Sequence, residues 1–107
     1  MAIVKNAETR ALDLGEGVSR KVLASGGGLM TVQFNFAQEA KGYLHTHPHE
    51  QVGYVAKGRF ELMLAGEKTI VEAGDTYYVP TGVEHGVVAL EEGVLIDVFT
   101  PQREDFI

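Results

Sequence analysis

Gly42-Tyr-Leu-His45-Thr-His47-Pro-His-Glu-Gln51 and, further along, Pro80-Thr-Gly82-Val-Glu-His85 decide how this chain is read. His45 and His47 stand two apart, so on a β-strand both imidazoles face the same side. Pro48 stops that strand, His49-Glu50 makes a short turn, and Gln51 opens the next strand. His85 follows a Pro-x-Gly turn and starts another. Three imidazoles and one amide oxygen converging inside a small barrel make a mixed N/O site for one divalent first-row metal.

Working outward, 107 residues make one domain, residues 1–107, with room for a single core. With 45% apolar and 22% charged residues, the chain reads as an ordinary globular protein. A net charge of −6 and the lack of any Lys/Arg cluster argue against a nucleic-acid partner. The absence of cysteine excludes disulfides, thiolate zinc sites and thiol nucleophiles. No charged N-terminal region precedes an apolar run, and no run approaches the roughly eighteen apolar residues of a membrane span. A cytoplasmic protein without a membrane partner is expected.

Runs of β-branched and aromatic residues alternate with glycine turns, and no stretch carries a helical period. Strands are expected over Val18–Ala24, Leu29–Phe36, Gly42–His47, Gln51–Ala56, Arg59–Leu64, Thr69–Glu72, Asp75–Val79, Glu84–Leu90 and Val94–Thr100. Gly26-Gly27-Gly28 precedes no helix that could aim its N-terminus at a phosphate, so it reads as a hairpin turn. This pattern is that of an all-β double-sheet jelly roll.

On these residues the chain resembles the cupins, a double-stranded β-helix family. Their two motifs appear as His45-x-His47-x3-Gln51-x6-Gly58 and Gly74-x5-Pro80-x-Gly82-x2-His85, covering about residues 42 to 86. The family usually has glutamate where Gln51 stands, and often asparagine where Ala89 stands. An amide neutralises no metal charge, so an ion held here keeps more of its Lewis acidity than one bound to a carboxylate. Glu50 competes with Gln51 as oxygen ligand, but only Gln51 fits the spacing to Gly58. His49 shares parity with His45 and His47, yet reads as an exposed turn residue.

The C-terminal run Val94-Leu-Ile-Asp97-Val-Phe99-Thr-Pro101-Gln-Arg103-Glu-Asp-Phe106-Ile107 is the second informative region. Both faces of its strand are apolar apart from Asp97, so burial on both sides is expected. A buried lone carboxylate is costly unless paired, protonated or used. Two readings stand: an Asp97–Arg103 ion pair pinning the tail, or Asp97 as general acid/base with Arg103 as a fork for a substrate carboxylate.

Arg20-Lys21-Val22-Leu23, the run His45 to Gln51 with Tyr54-Val55, and the tail Asp97-x-Phe99-x-Pro101-x-Arg103-Glu-Asp-Phe106 are similar to the pectin-degradation cupins called KdgF. That resemblance runs from near residue 17 to the end. It implies conversion of 4,5-unsaturated monouronates to linear 4-deoxy-5-keto uronates. It implies metal ligands His45, His47, His85 and Gln51, and catalytic Asp97, Phe99 and Arg103. In the mechanism these parts suggest, Phe99 with Tyr54 or Tyr78 supplies an apolar wall for the sugar acid. Arg20 and Arg59 are secondary candidates for substrate contact. Nickel, zinc, manganese, iron or copper would each suit the ligand set. A metal-dependent dioxygenase and a non-catalytic sugar-binding cupin are the competing classes. A homodimer is expected, with the strand near Val18–Ala24 at its interface.

Overall fold

The computed structural model describes residues 2–107, and the glycine-punctuated runs fold there as strands. They are β1 (Leu12–Gly15), β2 (Val18–Gly26), β3 (Leu29–Phe36), β4 (Lys41–His45), β5 (Glu50–Lys57), β6 (Arg59–Leu64), β7 (Glu67–Glu72), β8 (Thr76–Val79), β9 (His85–Ala89) and β10 (Gly93–Thr100). Short 3-10 turns occupy Asn6–Glu8 and Glu104–Phe106. One sheet has six strands in the order β1-β2-β3-β10-β5-β8, and the other has four in the order β4-β9-β6-β7. Sequence-distant strands lie side by side, as in a jelly roll. The all-β expectation holds.

Alternation along β3, β5, β6, β8 and β10 sends one set of side chains into the space between the sheets. In β5, Gln51, Gly53 and Val55 are buried while Val52 and Tyr54 are exposed. Phe36, Val55, Phe60, Leu62, Val79 and Leu95 belong to the larger core cluster between the sheets. A smaller cluster of Met30, Val32 and Phe99, joined by Phe34 and Phe106, packs where the C-terminal tail meets the sheet. Each fully buried side chain of this kind contributes about 1.5–3 kcal/mol. Gly58 has φ +87 and a backbone so close to Glu92 that a Cβ would sit 2.7 Å from its carbonyl oxygen, which explains the glycine of the first motif.

Three expectations need correction. β1 has no counterpart among the expected strands: Leu12-Asp-Leu-Gly is exposed throughout and pairs only with β2, so burial left little pattern in its sequence. β4 ends at His45, so His47 lies in the connection beyond it and not on the same strand. The outer face of β10 is not fully covered, because Val98 is exposed and Val94 and Ile96 only half-buried. Among the described residues no helix is long and apolar enough to cross a membrane.

Candidate metal and substrate site

Antiparallel register builds the site in two inward rows across the six-stranded sheet. Val32, Asp97, Gly53 and Tyr77 lie side by side on β3, β10, β5 and β8; Met30, Phe99, Gln51 and Val79 form the next row. Gly53 is the gap in the first row. A Cβ there would overlap the Tyr77 ring, which leans across the glycine so that its hydroxyl donates to Asp97 Oδ1 at 3.2 Å. The opposite sheet supplies His45 and His85, paired in register at the end of β4 and the start of β9. His47, beyond β4, completes the group. Candidate ligand atoms of the three histidines lie within 4.8 Å of one another.

Each imidazole is oriented by its own neighbourhood. Nδ1 of His45 donates to the Tyr43 carbonyl at 2.7 Å, that of His47 to His49 at 3.0 Å and that of His85 to Val83 at 2.9 Å. A carbonyl only accepts, so the proton sits on Nδ1 and the Nε2 lone pair is left free in every neutral ring. Burial lowers the His47 pKa and pushes that of His85 down to about 4, so both rings are neutral at neutral pH. Nε2 of His85 is buried without any hydrogen-bond partner. Nε2 of His47 faces Oε1 of Gln51 at 2.9 Å, one acceptor against another. Converging lone pairs of this kind fit a shared cation, and the backbone bonds at Nδ1 are the partners expected behind metal-bound histidine.

Asp97 is buried beside this group, with hydrogen bonds from Gln51 and Tyr77. Burial pushes its carboxyl up to about 7, against those bonds and the charge of Arg103, which pull it down. Burial likewise raises Tyr77 well above the usual phenol value. The Asp97–Arg103 ion pair does not form: Arg103 binds Asp105 instead, at 2.8 and 3.0 Å. A cavity of about 310 Å³ opens over these groups, lined among others by Gln51, Tyr77, Asp97, Phe99, Arg103 and Arg20.

The remaining candidates fall elsewhere. Tyr54 and Tyr78 are on the outer face of the sheet, each about half exposed, and cannot wall the cavity; the inward tyrosine is Tyr77. Alternation decides this, since Tyr54 pairs with Thr76, and Tyr78 with Val52, in outward-facing rows. Tyr78 donates instead to the surface carboxylate Glu50. Arg59 reaches Glu72 and Glu91 on the surface, away from the cavity. His49, expected to be exposed, is half-buried with its ring 6.4 Å from that of Phe99, yet lies outside the histidine group. The spacing of Gln51 and Gly53, two apart on one strand, was the available signal for the row holding Tyr77.

A cupin-domain family model matches residues 32–99. The pectin degradation protein KdgF of Dickeya dadantii is 47% identical over 102 residues, which cover 94% of this chain and 93% of that protein. This chain is a cupin of the KdgF family. The solved structure of KdgF from a Halomonas species superposes with a TM-score of 0.96 at 38% identity, covering 100% of this cupin and 99% of that chain. An RmlC-like cupin from Shewanella frigidimarina gives 0.97 at 39% identity, covering 100% and 96%. This cupin therefore shares both sheets, end to end, with proteins similar to it in sequence.

Proposed function

We propose that this cupin opens 4,5-unsaturated monouronates, the products of pectin or alginate cleavage, to linear 4-deoxy-5-keto uronates. The observation that carries the reading is a buried, protonatable Asp97 facing the same cavity as the histidine–glutamine group and Arg103. Its likeness to the pectin degradation protein supports the substrate class.

His45, His47, His85 and Gln51 would hold one divalent ion, which when bound polarises substrate oxygen and stabilises developing negative charge. Arg103 holds the substrate carboxylate, and Phe99 and Tyr77 wall the sugar ring. The substrate is a cyclic enol ether whose anomeric carbon carries a hydroxyl. As the hydroxyl loses its proton to solvent, the bond from that carbon to the ring oxygen breaks, the electron pair goes to that oxygen, and an aldehyde and an enolate at carbon 5 are left. The neutral Asp97 carboxyl donates its proton to carbon 4 while the enolate becomes the ketone, and the carboxylate is reprotonated from solvent, which took up the proton that the hydroxyl released. The conversion is an isomerisation, and no external reductant or oxidant is consumed.

The test is turnover of unsaturated galacturonate, followed as loss of the conjugated-alkene absorbance, with oxygen uptake recorded in parallel. Turnover without oxygen uptake supports the reading. Oxygen consumption would replace it with the dioxygenase class, and binding without turnover with the sugar-binding class.

A further inference from the structure

We propose that Asp105 is a positioning residue that aims Arg103 at the substrate carboxylate, an inference resting on the uronate reading above. Asp105 Oδ1 accepts from Nε of Arg103 at 3.0 Å and Oδ2 from Nη2 at 2.8 Å. A guanidinium has two bidentate edges, one along Nε and Nη2 and one across its end. Asp105 takes the side edge, which leaves the Nη1 end to meet a planar anion in the cavity that Arg103 lines. Aromatic rings fix the plane further: Cζ of Arg103 lies 4.2 Å from the Phe106 centroid and 5.1 Å from that of Phe99.

Exposure within the pair is uneven. The Arg103 side chain is 11% exposed and that of Asp105 is 59% exposed, so a solvent-facing carboxylate braces a nearly buried fork. Surface ion pairs contribute little to stability by themselves, so stability is a weak reason for this one. The brace is local: Phe106 N donates to the Arg103 carbonyl at 3.0 Å, closing the short turn that carries Asp105. The Arg103 bond holds the Asp105 carboxyl below the usual range, so it stays charged at neutral pH.

Steady-state kinetics of the metal-loaded enzyme on unsaturated galacturonate test the proposal. Asp105→Ala should raise KM about tenfold with kcat within about twofold, and Asp105→Asn, which keeps one acceptor, should fall between. The double variant Arg103→Ala, Asp105→Ala should be no worse than Arg103→Ala alone. An unchanged or lowered KM in Asp105→Ala, additive losses in the double variant, or a fall in kcat together with melting temperature would each overturn the positioning role. If Arg103→Ala is impaired while Asp105→Ala behaves as the parent, only this inference fails. If the parent shows no turnover, or Arg103→Ala keeps the parent KM, the uronate reading fails and takes the inference with it.

Discussion

His47, His85 and Asp97 are all buried where the neutral form is favoured, and this decides what single substitutions should do. Burial pushes Asp97 up to about 7, whereas an unfolded chain ionises near the usual aspartate value of about 4. Between these values the unfolded state releases its proton first, so this contribution to stability is lost as the pH rises towards neutrality. Asp97→Asn removes that slope. In chelator-treated protein at pH 8 the variant should be more stable than the parent by roughly 1–3 kcal/mol, after the cost of its extra amide donors. The gap should close near pH 4. Denaturant melts at both values check this, and turnover by the variant should drop at least about 100-fold. The histidines work in the opposite direction: their depressed values mean stability present above about pH 6.5 and lost as the pH falls towards 4. His47→Ala should leave far-UV circular dichroism near that of the parent and remove most of the bound metal; one equivalent by elemental analysis would refute the ligand assignment. Strand parity and motif spacing, with the cupin resemblance, singled out the histidines and Gln51 as candidates. They could not decide whether Asp97 is paired with Arg103, because Asp105, two residues further on, captures the guanidinium through a turn that no periodicity announces.

Within elements, parity was legible and facing was not. Strand boundaries for β3 and β6 match their sequence expectation, because Gly28 and the polar run from Gln38 to Lys41 bound β3 while Gly58 and Gly66 bracket β6. Tyr77 and Tyr78 are adjacent aromatics on β8, so composition cannot tell which points inward. The pairing with β5 decides it, through Gly53 opposite Tyr77. This yields a paired prediction. Tyr77→Phe removes the hydroxyl at Asp97, a bond that lowers the carboxyl pKa, so the pH profile of turnover should move to higher pH. Its stability cost should be about 0.5–1.5 kcal/mol. Tyr78→Phe, on the outer face, should leave the profile unmoved. Equal profiles for both variants would count against the Tyr77–Asp97 contact as an influence on turnover. β1 escaped notice for a related reason: an edge strand exposed on both faces has no burial to write into its sequence.

At the scale of the molecule, the six-stranded sheet carries an apolar patch on the outer face of β10, β5 and β8, bordered by Thr31 and Gln33 on β3. Val98, Val52 and Tyr78 stand in one outward row, with Ile96 and Tyr54 in the next. We propose that a second copy of the chain covers this face, which would add β5, β8 and β10 to the dimer contact expected near β2. Light scattering should return a dimer mass at micromolar concentration and a monomer mass for Val52→Lys; a monomeric parent would defeat the proposal. On the inner side, the candidate ligands come from both sheets: His45 and His85 from the four-stranded one, Gln51 from the six-stranded one. An ion held by all of them is a rivet through the seam of the sandwich, and the sheets cannot part until it lets go. Metal should therefore lengthen the lifetime of the folded chain, with the unfolding limb of a chevron dropping when metal is restored to chelated protein while the folding limb stays in place.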